Sequence, residues 1–402
     1  MAVDVLILNT AVTDLRRPEF GFTDNLVGKG GLAKCHTEDM PGYSQKQIRE
    51  WIDDGSATAG GPGNTAPLIA RAGLDVAVGV NLGEGDYGGL DAHGRYFNDV
   101  MAANDIDMSA VHVHSTLPTG ATFIHDSASD DRGGIAYFPN ANNDFDFELF
   151  KPDVERLDPK IVYYMYSGLS DRGDANGGRD LADFIHWCRQ AGAVTIVDSH
   201  TLTGSPHELI AAGKAVEEYC LLEPLLPELD VFFTSCDEAR LIENTLAPGR
   251  QWSQYGEDEN NIHFLDFLAE RFWTDNSRTR FFGVTVSDGA YEKHASPDGR
   301  TSEPQRITSR FLAGEVIDLV GAGDSFRAGL ISYLARNLDA FKRGTLDFSQ
   351  AVQMGNLFAS LFIKAPLDDR YGNICSYATM LDTVSSGRVY DSFEMLQRAL
   401  KQ

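Results

Sequence analysis

The stretch Asp318-Leu319-Val320-Gly321-Ala322-Gly323-Asp324-Ser325-Phe326-Arg327-Ala328-Gly329-Leu330 decides how the rest of the chain is read. Before it, Gly314, Glu315, Val316 and Ile317 read as a strand-like approach. After it, Phe326, Leu330, Leu334 and Leu338 recur every fourth position, the period of a buried helix face. The Gly-Ala-Gly turn is therefore expected at a helix N-terminus. Free backbone N–H groups and the positive end of the helix dipole collect there, and side chains no bulkier than methyl let an anion approach the main chain. Such a turn is a ready phosphate site. A carboxylate at Asp324 is repelled by a bound phosphate, so its placement makes chemical sense if it takes the proton of a hydroxyl that attacks phosphorus. The same aspartate could equally do no more than cap the helix.

Asp318 to Ile331 resembles the second signature of the ribokinase-like (PfkB-type) carbohydrate kinase family, D-T-x-G-A-G-D followed by a helix of small residues, with Leu319 where Thr is usual. Upstream, Gly60-Gly61-Pro62-Gly63-Asn64-Thr65-Ala66, followed by Gly73 and Gly83, resembles the family's first signature. There the glycines let the main chain approach an acceptor, and the Asn64 amide can both donate and accept hydrogen bonds to hydroxyls.

The resemblance implies an α/β fold spanning 1–402, a central mostly parallel sheet flanked by helices, with a small β lid from about residues 14–45 and 110–140. Insertions fall at about 16–58, 200–228 and 244–276. It implies transfer of the ATP γ-phosphoryl group to a hydroxyl of a sugar or related polyol, with Asp324 as general base and Gly321, Ala322 and Gly323 as the anion hole. Asp14, Asn64, Gly60 and Gly61 would hold the acceptor, and Gly289, Gly355 and Asn356 the nucleotide. The usual N-x-x-E pair that organises Mg2+ reads Ser235-Cys236-Asp237-Glu238 here, so Glu238 stays and Ser235 replaces Asn. Asp318 would help hold a monovalent cation such as K+, and the lid strand around Thr119-Gly120-Ala121 often mediates a homodimer. Asn9 also replaces a strand-ending Gly. Leu319, Ser235 and Ser287-Asp288-Gly289 in place of T-x-G keep open a sugar-binding member without catalysis, and a nucleoside kinase of the same fold is a further alternative.

Composition bounds the partners. A formal charge of -25 in 402 residues argues against nucleic-acid or anionic-membrane partners, which need a basic surface. Any phosphate site must then be local, built from backbone amides, a metal and a few basic residues. Five cysteines, at 35, 188, 220, 236 and 375, form no C-x-x-C pair and suit reduced thiols. With no apolar run of membrane-spanning length, the chain reads as soluble and cytoplasmic.

The remaining segments are consistent with strands and helices in alternation. Val3 to Leu8, Ile161 to Met165, Ala193 to Val197, Val231 to Thr234 and Phe281 to Val286 read as buried strands, and Leu181 to Gln190, Glu238 to Ile242 and Ala351 to Lys364 as helices, which implies a parallel sheet covered on both faces. Val111 to His114, Ala121 to His125 and Ile135 to Phe138 alternate like a β-meander. His112 and His114 share a strand face, with no third ligand at metal spacing. Gly83-Glu84-Gly85-Asp86-Tyr87-Gly88 satisfies the dinucleotide pattern G-x-G-x-x-G with Asp105 downstream, the one hint of a nicotinamide oxidoreductase. Its two carboxylates would repel a pyrophosphate. Arg16 and Arg17 follow Asp14 and could read an acidic group on a substrate or simply be solvated.

Overall fold

Ten strands form the main sheet of the computed structural model, which describes residues 2–125, 133–250, 254–275 and 277–401. Parts of the expected lid (126–132) and of the third insertion (251–253 and 276) lie outside the described residues. From one edge the strands run Gln305–Thr308, Gly289–Ala295, Arg280–Val286, Val231–Ser235, Val194–Ser199, Ile161–Ser167, Val5–Leu8 and Val76–Gly85, the last flanked by Gly89–Leu90 and Asp107–His114. The six strands from Arg280–Val286 to Val76–Gly85 are parallel; the two at the first edge turn back as antiparallel hairpins.

Strands as apolar as Val5–Leu8 and Ile161–Ser167 demand cover on both faces, and they have it. Val5 and Ile7 point into a core with the helices Ala66–Arg71, Ala322–Arg336 and Phe348–Ile363, whereas Leu6 and Leu8 point into a second core with Phe147–Leu157, Arg179–Gln190, Cys236–Leu246 and Glu257–Phe272. The insertions at 200–228 and 244–276 thicken that second core, contributing Tyr219, Leu222 and Leu225, and Phe264, Leu265 and Leu268. The helix Ala322–Arg336 is buried along one unbroken run from Asp324 to Ala335. Its only route into so crowded a place is through small residues: a Cβ on Gly329 would lie 2.9 Å from the Cα of Gly355 on the neighbouring helix and 2.4 Å from the carbonyl oxygen of Met354.

A five-stranded second sheet runs Leu32–Lys34, Ile135–Phe138, Gly120–His125, Val12–Arg17 and Ala57–Gly60. Strand alternation divides its residues cleanly. Val12, Asp14, Thr122, Ile135 and Tyr137 face the main sheet, while Leu15, Ala121, Phe123 and Phe138 face away. The outward side is covered by the chain itself. Residues 16–58 lay Phe20 and the amphipathic helix Gln45–Asp53 over it, with Ile48, Trp51 and Ile52 inward and Ser44 capping the helix at Gln47 N. Phe20 packs edge-on against Phe123 at 5.0 Å and Trp51 at 5.4 Å.

Three expectations need correction. Asp107–His114 is no part of a meander: it pairs in parallel with Val76–Gly85 in the main sheet, and only Gly120–His125 and Ile135–Phe138 pair antiparallel in the small one. Its alternation comes from being an edge strand covered on one side, where His112 packs edge-on to Phe150 and bonds Asp153 at 3.0 Å while His114 bonds Asp144 at 3.3 Å. The approach 314–317 is not a strand. Gly314 takes a left-handed φ of 109°, the Ile317 N–H donates to the Ile363 carbonyl, and the Lys364 ammonium collects the carbonyls of Phe311, Leu312 and Ala313. The helix that follows also stops at Arg336, so Leu338 opens a separate short helix.

All five cysteines are free, and among the described residues no helix is long and apolar enough to cross a membrane.

Candidate active site

A cavity of about 490 Å³ lies between the small sheet and the carboxyl ends of the parallel strands. That is where open α/β sheets hold ligands, because loops and helix N-termini converge there. One wall is the Gly321-Ala322-Gly323 turn. Gly321 precedes the helix with φ 85°, a conformation that excludes most side chains, and a Cβ there would lie 2.9 Å from the Phe362 ring and 3.0 Å from Asn64 Cγ.

Asp324 stands on the first turn of this helix, buried at 9% exposure and lining the cavity. Its own side chain caps nothing. Instead Asn64 Nδ2 donates to Oδ2 at 3.0 Å and the Tyr166 hydroxyl donates to Oδ1 at 2.9 Å. Two donors fix the carboxylate plane and leave lone pairs on each oxygen open to the cavity. Asn64 thus meets Asp324 directly, and its Oδ1 is buried without a partner. Tyr166, at the end of Ile161–Ser167, was outside the candidate residues; nothing in its local sequence marks it, since the contact spans 158 positions. Burial, then the charges of Asp324 and Asp198, holds its hydroxyl well above the usual tyrosine range, so it acts as a donor.

Asp14 forms the other end. The Thr122 hydroxyl donates to its Oδ1 at 2.6 Å, across the parallel pair in which Asp14 lies opposite Thr122. Burial pushes the Asp14 carboxyl up to about 6, although Thr122, Arg370 and Arg16 all pull it down. Gly60 makes room for it, since a Cβ there would sit 2.5 Å from an Asp14 oxygen, whereas a Cβ on Gly61 would lie 2.0 Å from the Thr10 carbonyl oxygen.

Other candidates have different settings. Both Asp318 oxygens, expected near a monovalent cation, are engaged by guanidinium groups, Arg16 at 3.2 Å and Arg370 at 3.1 Å. Arg16 is therefore neither free nor merely solvated, and Arg17 bonds Asp54 and Glu19. Glu238 and Ser235 make a reciprocal capping box at the start of Cys236–Leu246, the Glu238 Oε2 also accepting from Thr234 at 2.8 Å. Gly289, Gly355 and Asn356 do not line the cavity. Gly355 is where the Phe326 ring packs, and Gly289 starts the antiparallel hairpin after Val286, leaving Thr285, Val286 and Ser287 on the cavity wall.

The donor set fits magnesium. Among the described residues there is no cluster of three or more metal-ligating side chains, but magnesium is ordinarily held by one or two carboxylates together with substrate phosphates. Glu238 and Asp198 both line the cavity, and Asp198 Oδ1 is a buried oxygen without a partner.

A glycine turn at a helix N-terminus, a bonded carboxylate beside it and a small sheet facing the ends of a mostly parallel sheet flanked by helices make up a ribokinase-like fold. The family model described as pfkB family carbohydrate kinase matches residues 45–243 and 287–369, and the chain belongs to that family. Similar solved structures include a probable sugar kinase from Rhizobium etli (18% identity, 90% of this chain and 93% of that one, TM-score 0.60). A fructokinase with bound ATP from Xylella fastidiosa is similar at 17% identity over 95% and 98% (0.61), and an adenosine kinase from Schistosoma mansoni in complex with 2-fluoroadenosine at 14% over 90% and 95% (0.63). At such identities the likeness is one of fold. A comparison with curated proteins finds no match.

Proposed function

We propose that this protein transfers the γ-phosphoryl group of ATP to a hydroxyl of a sugar or related polyol. One observation carries the reading: a single cavity joins the Asp14 carboxylate, the Asp324 carboxylate and the amides of Gly321 to Gly323. In this reading Asp14 accepts hydrogen bonds from acceptor hydroxyls, the small sheet serves as the lid, and the reacting hydroxyl lies against Asp324. Its proton passes to an Asp324 oxygen as the new O–P bond forms, and the bond between phosphorus and the ADP oxygen breaks with its electron pair left on ADP. The helix N-terminus receives the charge on the phosphoryl oxygens. Magnesium, when bound, adds positive charge at the phosphates, and Glu238 would hold it together with the phosphates themselves.

A nucleoside acceptor is the second reading. Leu32, Ile135 and Leu169 give the acceptor end an apolar wall that suits a base better than a bare sugar ring. ADP release measured across sugars, sugar acids and nucleosides separates the two. Release with none of them, at saturating ATP and magnesium, would contradict both.

A further inference from the structure

Six carboxylates line the cavity, Asp14, Asp198, Asp237, Glu238, Glu257 and Asp324, and one guanidinium, that of Arg327. Among the described lining residues it is the sole Arg or Lys. A triphosphate entering this space meets strong repulsion unless fixed positive charge is already in place. Arg327 lies one turn beyond Asp324, near the positive end of its helix, where a buried cation is disfavoured unless anions surround it.

Asp198 is one such anion. Arg327 Nε pairs ionically with Asp198 Oδ2 at 2.9 Å, that oxygen accepts a hydrogen bond from the Tyr163 hydroxyl, and Nη2 donates to the Phe233 carbonyl at 2.7 Å. These two anchors hold the guanidinium beneath the glycine turn. Nη1 has a different outlook: it is the atom that a Cβ on Gly323 would meet, at 2.8 Å, so it lies directly under the anion hole. Burial opposes the charge on Arg327, but Asp198, Tyr163 and Glu238 together hold its pKa above the usual arginine value.

We propose that Arg327 Nη1 binds the transferred phosphoryl group, supplying the side-chain cation of a phosphate site otherwise made of backbone amides, with Asp198 and Phe233 as its positioning partners. The proposal rests on the kinase reading. Arg327 takes no proton; it holds phosphoryl oxygens while the acceptor hydroxyl gives its proton to Asp324 and the ADP oxygen leaves.

The test is discrimination between AMP-PNP and ADP, measured by calorimetry with magnesium in wild type, in Arg327→Gln and in the charge-neutral pair Arg327→Gln with Asp198→Asn. A charge-assisted bond to the third phosphate is expected to favour AMP-PNP by at least about tenfold in wild type, and both variants lose that margin. The pair keeps the buried charge balanced, so it remains informative if the single variant does not fold. Wild-type discrimination in the paired variant would overturn the proposal, because Arg327 would then serve only to balance Asp198. Nucleotide binding in wild type with no preference for AMP-PNP would overturn it as well. Wild-type protein that binds neither nucleotide contradicts the kinase reading itself.

Discussion

The two ends of the cavity are built by opposite means. At the phosphate end, Gly321, Gly323, Asp324 and Arg327 come from one glycine turn and the first two turns of one helix, so the chain is nearly continuous through the site. At the acceptor end, Asp14, Gly60 and Thr122 come from three strands of the small sheet and meet only because those strands pair in a particular register. A locally built end holds a charge distribution fixed by the backbone, which suits chemistry. An end built by register holds shape and hydroxyl partners, which suits recognition. Damage to the first should therefore appear in kcat and damage to the second in the acceptor KM.

The largest effect that sharpens this contrast is Asp324→Asn. An amide keeps the bonds to Asn64 and Tyr166 in part but cannot accept the hydroxyl proton, and loss of a general base costs about 10²- to 10⁴-fold in kcat. Steady-state ADP release within about threefold of wild type would remove Asp324 from the chemistry. Next in size is Asp14→Ala, for which the acceptor KM is expected to rise at least about tenfold, roughly 1.4 kcal/mol, with the ATP KM nearly constant. Should the ATP KM move instead, the two ends have been exchanged.

The pH dependence follows from Asp14. Its folded carboxyl titrates near 6, above the ordinary aspartate value of 3.8, because burial disfavours the charge. Protonation removes an acceptor of hydroxyl hydrogen bonds, so kcat/KM for the acceptor should fall about tenfold per unit below pH 6. Stability moves the other way. The folded state binds the proton more tightly than the unfolded chain, so this contribution is fully present below about pH 4 and is lost as pH rises through 6, about 2 to 3 kcal/mol in all. Asp14→Asn should then melt higher than wild type at pH 8, with the gap closing towards pH 4. An equal gap at both would show that the carboxyl is not held out of water. The smallest effect concerns Ser235: Ser235→Ala removes the cap of Cys236–Leu246 and should cost about 1 kcal/mol in urea denaturation, whereas Ser235→Asn should cost almost nothing, since both residue types cap well.

This difference between the ends also explains what could be seen in the sequence. The parallel strands and their covering helices were legible because burial on both faces writes itself as unbroken apolar runs, as in Ile161–Ser167. The glycine turns at 60–63 and 321–323 were legible because a backbone conformation needs particular residues at consecutive positions. Tyr166, Thr122 and Arg370 were not, because each gains its place from a partner far along the chain, and a lone Tyr, Thr or Arg carries no local mark. Asp107–His114 misled for a related reason: alternation reports one covered face but not which sheet supplies the neighbour. At Gly314 to Ile317 an apolar dipeptide resembled a strand, while the left-handed glycine and the Lys364 ammonium had already taken the backbone away from any ladder.

The most direct measurement is calorimetric binding of the acceptor, in the presence of AMP-PNP and magnesium, to wild type and Asp324→Asn side by side. If Asp324 acts on the proton and Asp14 on recognition, both proteins bind the acceptor with Kd values within about threefold while only wild type turns over. Loss of acceptor binding in Asp324→Asn, in step with its loss of turnover, would show that Asp324 holds the substrate and does no chemistry upon it.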